Sequence, residues 1–162
     1  MHPAYLLRPA TLDDAEAIAR LVNDAYAKWE PVIGRKPMPM TVDYRQAVGR
    51  NDFALLFDQE QLVGLIEAIR QDDCIWIENV AVTPDRQGAG IGQRLLAHAE
   101  ELAKTAGRKE VRLLTNADFK SNVTFYRKFG YAVSHVEPFM GGQTVYMVKR
   151  LADAGPSAAA PA

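Results

Sequence analysis

Residues 80–92 constrain this chain most: Val80-Ala81-Val82-Thr83-Pro84-Asp85-Arg86-Gln87-Gly88-Ala89-Gly90-Ile91-Gly92. An apolar strand runs into a proline turn, then into alternate glycines, then into a helix. Glycine leaves no side chain between backbone and ligand and adopts conformations other residues avoid. The first turn of the helix that follows carries unpaired N–H groups and the positive end of the helix dipole. Such a junction is an anion site, most naturally for a phosphate or pyrophosphate. The alternative is a glycine-rich turn with no ligand.

Spacing excludes two common phosphate binders. A P-loop requires Lys and then Ser or Thr after its last glycine, whereas Gly92 is followed by Gln93 and Arg94. A dinucleotide fold requires G-x-G-x-x-G, and here the glycines fall as G-x-G-x-G. A nucleotide-binding protein of either type is therefore the weaker rival.

The periodicity outlines a mixed chain. Leu6 and Leu7 end a short first strand. Thr11, with Asp14 after it, is an N-cap signal. Apolar residues at Ala15, Ile18, Ala19, Val22, Ala25, Tyr26 and Trp29 then follow helical spacing, and Glu30-Pro31 ends that helix. Pro31, Gly34, Pro37 and Pro39 make 31–41 a loop, and a short helix spans 42–48. Residues 53–57 and 62–69 read as a hairpin, and 74–82 as a third long strand. A helix over 90–105 has Gly107 at its C′ position. A strand at 111–115, a helix at 121–129 closed by Gly130, and strands at 131–136 and 144–149 complete the order. Strands and helices interleave, so the class is α+β, an α/β sandwich with a mainly antiparallel sheet.

Two segments together point to a family. Gln87-x-x-Gly90-x-Gly92 follows V-A-V-x-P, and downstream Asn122 leads into Tyr126-x-Lys128-x-Gly130-Tyr131. This pair resembles the acyl-CoA signature and the second motif of the GNAT N-acetyltransferases, with Tyr131 in the place of the usual Phe. The resemblance runs over nearly the whole folded chain, a domain at 1–151 followed by a flexible tail at 152–162. It implies the GNAT fold, a mixed sheet that splays between its fourth and fifth strands, here 74–82 and 111–115, with helices on its flanks. It implies acetyl-CoA as cofactor and acetyl transfer to a primary amine by direct attack in a ternary complex. A non-catalytic acyl-CoA sensor of the same fold is the alternative.

The resemblance carries roles onto particular residues. The backbone of Val80, Ala81 and Val82 pairs with the cofactor's pantetheine arm, and the Val80 N–H polarises the acetyl carbonyl. N–H groups of Gln87, Gly88, Ala89, Gly90, Ile91 and Gly92 ring the pyrophosphate. Arg86 adds charge there, unless it is an exposed turn arginine. Asn122 bonds the cofactor's arm, caps its helix, or does both. Tyr126 is the general acid, although a tyrosine beside Phe125 is equally a packing residue. Glu78 is the general base, with Glu67 or a water in reserve; strict alternation puts Glu78 on one face with Trp76 and Val80. The acceptor pocket draws on Tyr26, Trp29, Met38, Met40 and Tyr44, together with Ile33, Phe139 and Tyr146.

Composition limits the partners. A formal charge of −1 argues against a general nucleic-acid binder. Cys74 is the lone cysteine, which excludes an internal disulfide and fits a reducing compartment. It has no histidine pattern suggesting a nucleophile, and His2, His98 and His135 form no metal-ligand spacing. Neither a signal peptide nor a membrane-length apolar run is visible. The expectation is a cytoplasmic protein with no metal and a small-molecule amine acceptor. A homodimer is an option, since dimers are common in the family resembled.

Overall fold

The structure, a computed structural model, describes residues 4–152. His2 and residues 153–162 of the expected tail lie outside the described residues. The elements in chain order are β1 (Tyr5–Pro9), α1 (Ala15–Tyr26), α2 (Glu30–Ile33), α3 (Tyr44–Arg50), β2 (Asp52–Asp58), β3 (Gln61–Arg70), β4 (Ile75–Val82), α4 (Ile91–Thr105), β5 (Glu110–Asn116), α5 (Lys120–Lys128), β6 (Ala132–Phe139) and β7 (Gly142–Arg150). The strands form one sheet in the order β1-β2-β3-β4-β5-β7-β6. Neighbours are antiparallel throughout except β4 and β5, so the expected mixed sheet stands. No helix of the described residues is long and apolar enough to cross a membrane.

The chain covers both sheet faces. One apolar cluster joins Ile18, Leu21 and Val22 of α1 and Tyr44 and Ala47 of α3 to Leu55, Leu65 and Ala81. The other joins Ile91, Leu95, Leu96 and Ala99 of α4 to Ile66, Ile75, Ile77, Val111 and Met147. β3 is therefore buried on both sides, which explains its nearly unbroken apolar run Leu62–Ile69. Gly64 in that strand permits the close approach of α4, because a Cβ there would stand 2.8 Å from Ile91 Cγ2.

Several boundaries differ from the sequence reading. The first strand continues past Leu7 to Pro9. Asp14 does accept the Thr11 N–H at 2.8 Å, and it also takes two bonds from Arg8 at 2.9 Å. That pairing holds its carboxyl down at about 2. Helix α1 stops at Tyr26, and a 3-10 turn follows over Ala27–Trp29. Pro31 begins a helix instead of ending one: it lies in the first turn of α2, where proline has no intrahelical bond to lose. Residues 38–41 wind into a further 3-10 turn. Asp43 caps α3 by accepting the N–H groups of Arg45 and Gln46, which moves that helix start to Tyr44. The last hairpin is tighter than expected, with Pro138 inside β6 and the turn at Met140-Gly141.

The departure that matters for the site lies in β4. Glu67 faces Asn79 and Ala68 faces Ile77, so Glu78 is an extra residue against β3, a β-bulge. A bulge reverses the alternation beyond it. Ile75 and Ile77 pack on the α4 side, as do Val80 and Val82, while Ala81 packs with α1 and α3. Trp76 and Val80 therefore do not share a face, and the expected grouping of Glu78 with both of them does not hold.

Candidate acyl-transfer site

The sheet opens where β4 leaves β5. The two strands pair only at Ile75–Ile77 against Val111–Leu113. On the other edge of β4, the Thr83 N–H donates to the Val63 carbonyl at 3.0 Å. In antiparallel pairing, bonded pairs alternate with unbonded ones. Counting back in the same register, Ala81 and Asn79 bond β3, whereas Val80 and Val82 turn their backbone groups away from it. Those groups face the gap left by β5. Two of them already meet side chains: the Val82 carbonyl accepts from Gln87 Nε2 at 3.1 Å, and the Val80 carbonyl accepts weakly from the Tyr26 hydroxyl at 3.4 Å. An unpaired strand edge of this kind is ready to receive an extended, amide-bearing ligand.

The strand delivers the chain into the glycine turn. Gly88 and Gly90 have φ of 85° and 86°, a conformation that costs other residues side-chain strain. The first intrahelical bond of α4 runs from the Arg94 N–H to the Gly90 carbonyl, so the earlier N–H groups point out of the helix end. Gly92 serves packing as well: a Cβ there would stand 2.9 Å from Phe125 Cζ of α5. A cleft of about 550 Å³ lies against this turn, lined by Val80, Ala81, Val82, Arg86, Gln87, Gly88, Gly90, Gly92, Asn122 and Tyr126 among others. Ala89 and Ile91 do not line it, and the Ile91 side chain is in the core.

Charge at this cleft comes from residues the sequence reading did not select. Lys28 Nζ donates to Gln87 Oε1 at 2.8 Å, so it stands at the glycine turn, and Lys128 lines the same cleft. Arg86, which also lines it, is held 2.7 Å from Asp58 at the end of β2. Trp29, expected in the acceptor pocket, lines this cleft instead and stacks on Phe119 at 4.5 Å.

A second cleft of about 250 Å³ lies in the gap between β4 and β5, lined by residues 77–80 of the one and 113–116 of the other. Tyr26, Met38 and Tyr44 line it as expected, with Ile33 and Phe139, whereas Met40 and Tyr146 do not. Both Glu78, exposed on the bulge, and Glu67, buried on β3, line it. Burial pushes the Glu67 carboxyl up, opposed by a 2.7 Å bond from Asn51 Nδ2. The two clefts share Tyr26, Val80, Asn122 and Tyr126. Tyr126 is buried against Phe125 and Tyr131, and desolvation pushes its phenol up to about 12. It is a proton donor at any ordinary pH.

Asn79 is a buried polar residue in an otherwise largely apolar strand. The bulge turns it toward α1 and α3. There its Oδ1 accepts from the Tyr26 hydroxyl at 2.9 Å and its Nδ2 donates to the Tyr44 hydroxyl at 3.2 Å. Tyr44 in turn donates to the Pro39 carbonyl at 2.6 Å. This chain of bonds ties the 37–41 segment to β4. The sequence signal was present: a buried amide requires partners. Among the described residues, no group of three or more His, Cys, Asp or Glu is placed to hold a metal ion. His98 on α4 is half-buried, and burial lowers its pKa.

The sequence profile of the acetyltransferase (GNAT) family matches residues 17–131. The chain belongs to that family. An aminoalkylphosphonate N-acetyltransferase of Salmonella typhimurium is 30% identical over 145 residues, covering 82% of this chain and 88% of its own. An uncharacterised N-acetyltransferase of Methanocaldococcus jannaschii is 27% identical across 82% of this chain, but the match spans only 62% of that longer relative. Among solved structures, the PaiA N-acetyltransferase of Thermoplasma acidophilum, in complex with coenzyme A, superposes with a TM-score of 0.78 at 20% identity over 91% of this chain and 99% of its own. The ribosomal-protein-S18-alanine N-acetyltransferase of Escherichia coli gives 0.75 at 19% identity, over 94% and 97%. At these identities the structural likeness is one of fold, and the splayed sheet and bulged β4 of this GNAT-family chain are its own observations.

Proposed function

We propose that the chain is an acetyl-CoA-dependent N-acetyltransferase acting on a small primary amine. The observation that carries this reading is the meeting of the two clefts at Val80 and Tyr126, where unpaired backbone of the splayed β4 edge runs into the glycine turn. The residues present fit the cofactor. Outward N–H groups at the start of α4, with Lys28 and Lys128 nearby, suit a pyrophosphate. The free edge at Val80 and Val82 suits the amides of a pantetheine arm, and Asn122 stands beside both. Acetyl-CoA supplies an acyl group activated as a thioester. Coenzyme A bound to the Thermoplasma protein supports that choice.

On this reading the chain divides the work as follows. The Val80 N–H donates to the acyl oxygen, where negative charge builds during attack. Glu78, on the bulge and open to the second cleft, takes the amine proton directly or through a water. Glu67, sealed behind Asn51, adds negative charge that favours binding of the incoming ammonium. As the new N–C bond forms and the C–S bond breaks, the Tyr126 hydroxyl gives its proton to the departing sulfur and regains one from solvent. The Salmonella relative's named substrate class supports a small acceptor, and so does a second cleft of about 250 Å³, a volume on the order of eight waters. Calorimetry with acetyl-CoA, followed by thiol release in the presence of amines, tests the reading. Binding with amine-dependent thiol release is expected, and absence of binding would overturn it.

A further inference from the structure

The second cleft holds charges of both signs, on opposite walls. Glu67 and Glu78 belong to β3 and β4. Among the charged side chains lining the cleft, the other is Arg35, from the segment after α2. Arg35 is half-buried, and its guanidinium lies over the Phe139 ring at 5.5 Å from the centroid. Phe139 ends β6, which is three strands from β4 in the sheet order. At ~4.8 Å per strand that is about 14 Å across the sheet, and the splay after Ile77 and the offset of Phe139 along its strand widen it. Long side chains from both walls leave room for a short molecule between them.

Arg35 has little to occupy it within the chain. Its Nη1 reaches the Lys36 carbonyl at 3.4 Å, and among the described residues no carboxylate lies within ion-pairing distance of it. A guanidinium held half-buried on an aromatic face with its donors unspent is built to take a carboxylate or phosphonate in a paired fashion. Its neighbours do the rest of the sorting. Met38, Val42, Leu114 and Phe139 give the cleft an apolar rim, each exposed to solvent by two-fifths or more. The middle of an acceptor would therefore rest on hydrocarbon.

We propose that the acceptor is a zwitterion: a primary amine at one end, a short apolar spacer, and a carboxylate or phosphonate at the other, bound by Arg35. This rests on the N-acetyltransferase reading and names its substrate class. An ammonium approaching the Glu67 and Glu78 wall is attracted there, and the anionic tail compensates Arg35. A simple alkylamine leaves the guanidinium without a partner. A diamine sets its second ammonium against Arg35, a like-charge contact.

The test is acetyl-CoA-dependent thiol release with β-alanine, γ-aminobutyrate and aminoethylphosphonate, against propylamine, butylamine and putrescine. At least one anionic-tailed amine should exceed its neutral match in kcat/KM by about tenfold or more, and putrescine should be the poorest. Arg35→Gln should bring that ratio close to unity, mainly through KM of the zwitterion, and Arg35→Lys should fall between. Turnover that is equal or better on propylamine or putrescine would overturn the zwitterion while leaving acetyl transfer intact. A preference for the anionic tail that survives Arg35→Gln would overturn the role of Arg35. Acetyl-CoA binding with no thiol release on any of the six would overturn the substrate class. Failure to bind acetyl-CoA would instead bring down the underlying reading, and the substrate class with it.

Discussion

Asn79→Ala offers the sharpest check on how the second cleft is held. The substitution removes the 2.9 Å acceptor of the Tyr26 hydroxyl and the 3.2 Å donor to the Tyr44 hydroxyl. The two tyrosines are not left equal. Tyr44 keeps the Pro39 carbonyl at 2.6 Å for its proton, whereas Tyr26 keeps only the Val80 carbonyl at 3.4 Å. Burial raises the pKa of both phenols, so both remain donors across the working range. The loss is thus both bonds of a buried amide, with one half-buried donor left without a good acceptor, ~1–3 kcal/mol. In a chain of this size each kcal/mol moves Tm by about 2–4 °C. Thermal or urea unfolding of Asn79→Ala should show a loss of about 2 kcal/mol. Tyr26→Phe on top of it should cost much less than in the parent, a coupling of roughly 1 kcal/mol. Hydrogen exchange at Met40, whose N–H donates to Pro37, should quicken, because the 37–41 segment is tied to β4 through Tyr44. Additive effects, or Asn79→Ala within about 0.5 kcal/mol of the parent, would refute the chain of bonds as a structural tie.

Four further outcomes follow from particular contacts. Tyr126→Phe should lower kcat by about 10²-fold or more with acetyl-CoA affinity nearly unchanged, and a steady-state comparison showing equal kcat would remove the phenol from proton transfer. The Tyr131 hydroxyl is buried without a partner, so Tyr131→Phe should raise stability by about 1 kcal/mol; a denaturation midpoint that falls would mean the hydroxyl is bonded after all. Because burial raises the Glu67 pKa, the folded carboxyl holds its proton more tightly than the unfolded one; Glu67→Gln should therefore stabilise at neutral pH, with the gain fading as pH falls and lost below about pH 4, once the unfolded carboxyl is protonated too, and a pH-independent difference in Tm would contradict the assignment. Gly92→Ala would bring a methyl to 2.9 Å from Phe125 Cζ, and the ring lines the cleft at the glycine turn. Calorimetry should show weaker acetyl-CoA binding, and an unchanged affinity would show that the contact between α4 and α5 can yield.

What the sequence made legible, and what it hid, divides along physical lines. Periodic apolar spacing located the strands and every helix but α2 to within a few residues, because burial on one face repeats along the chain. The glycine turn was legible because positive φ and close approach select glycine, and the structure has φ of 85° at Gly88 and 86° at Gly90. The β4 bulge was not legible. Ile-Trp-Ile-Glu-Asn-Val-Ala-Val alternates plausibly in either register, and only pairing with Glu67 and Ala68 decides which residue is extra. That single insertion has consequences along the strand beyond it: it turns Asn79 to the two tyrosines, leaves Glu78 exposed at the second cleft, and sends Val82 back to the α4 core. Residues contributed by distant segments were hidden for a different reason. Lys28 and Arg35 lie in stretches read as the end of a helix and a loop, and nothing local marks them. Lys28 lies in the 3-10 turn Ala27–Trp29, beside Gln87, and Arg35 follows the short helix that Pro31 starts and Gly34 ends at φ 71°, with its guanidinium over Phe139. The bulge and that short helical turn are both local backbone decisions, and between them they set which charges each cleft presents.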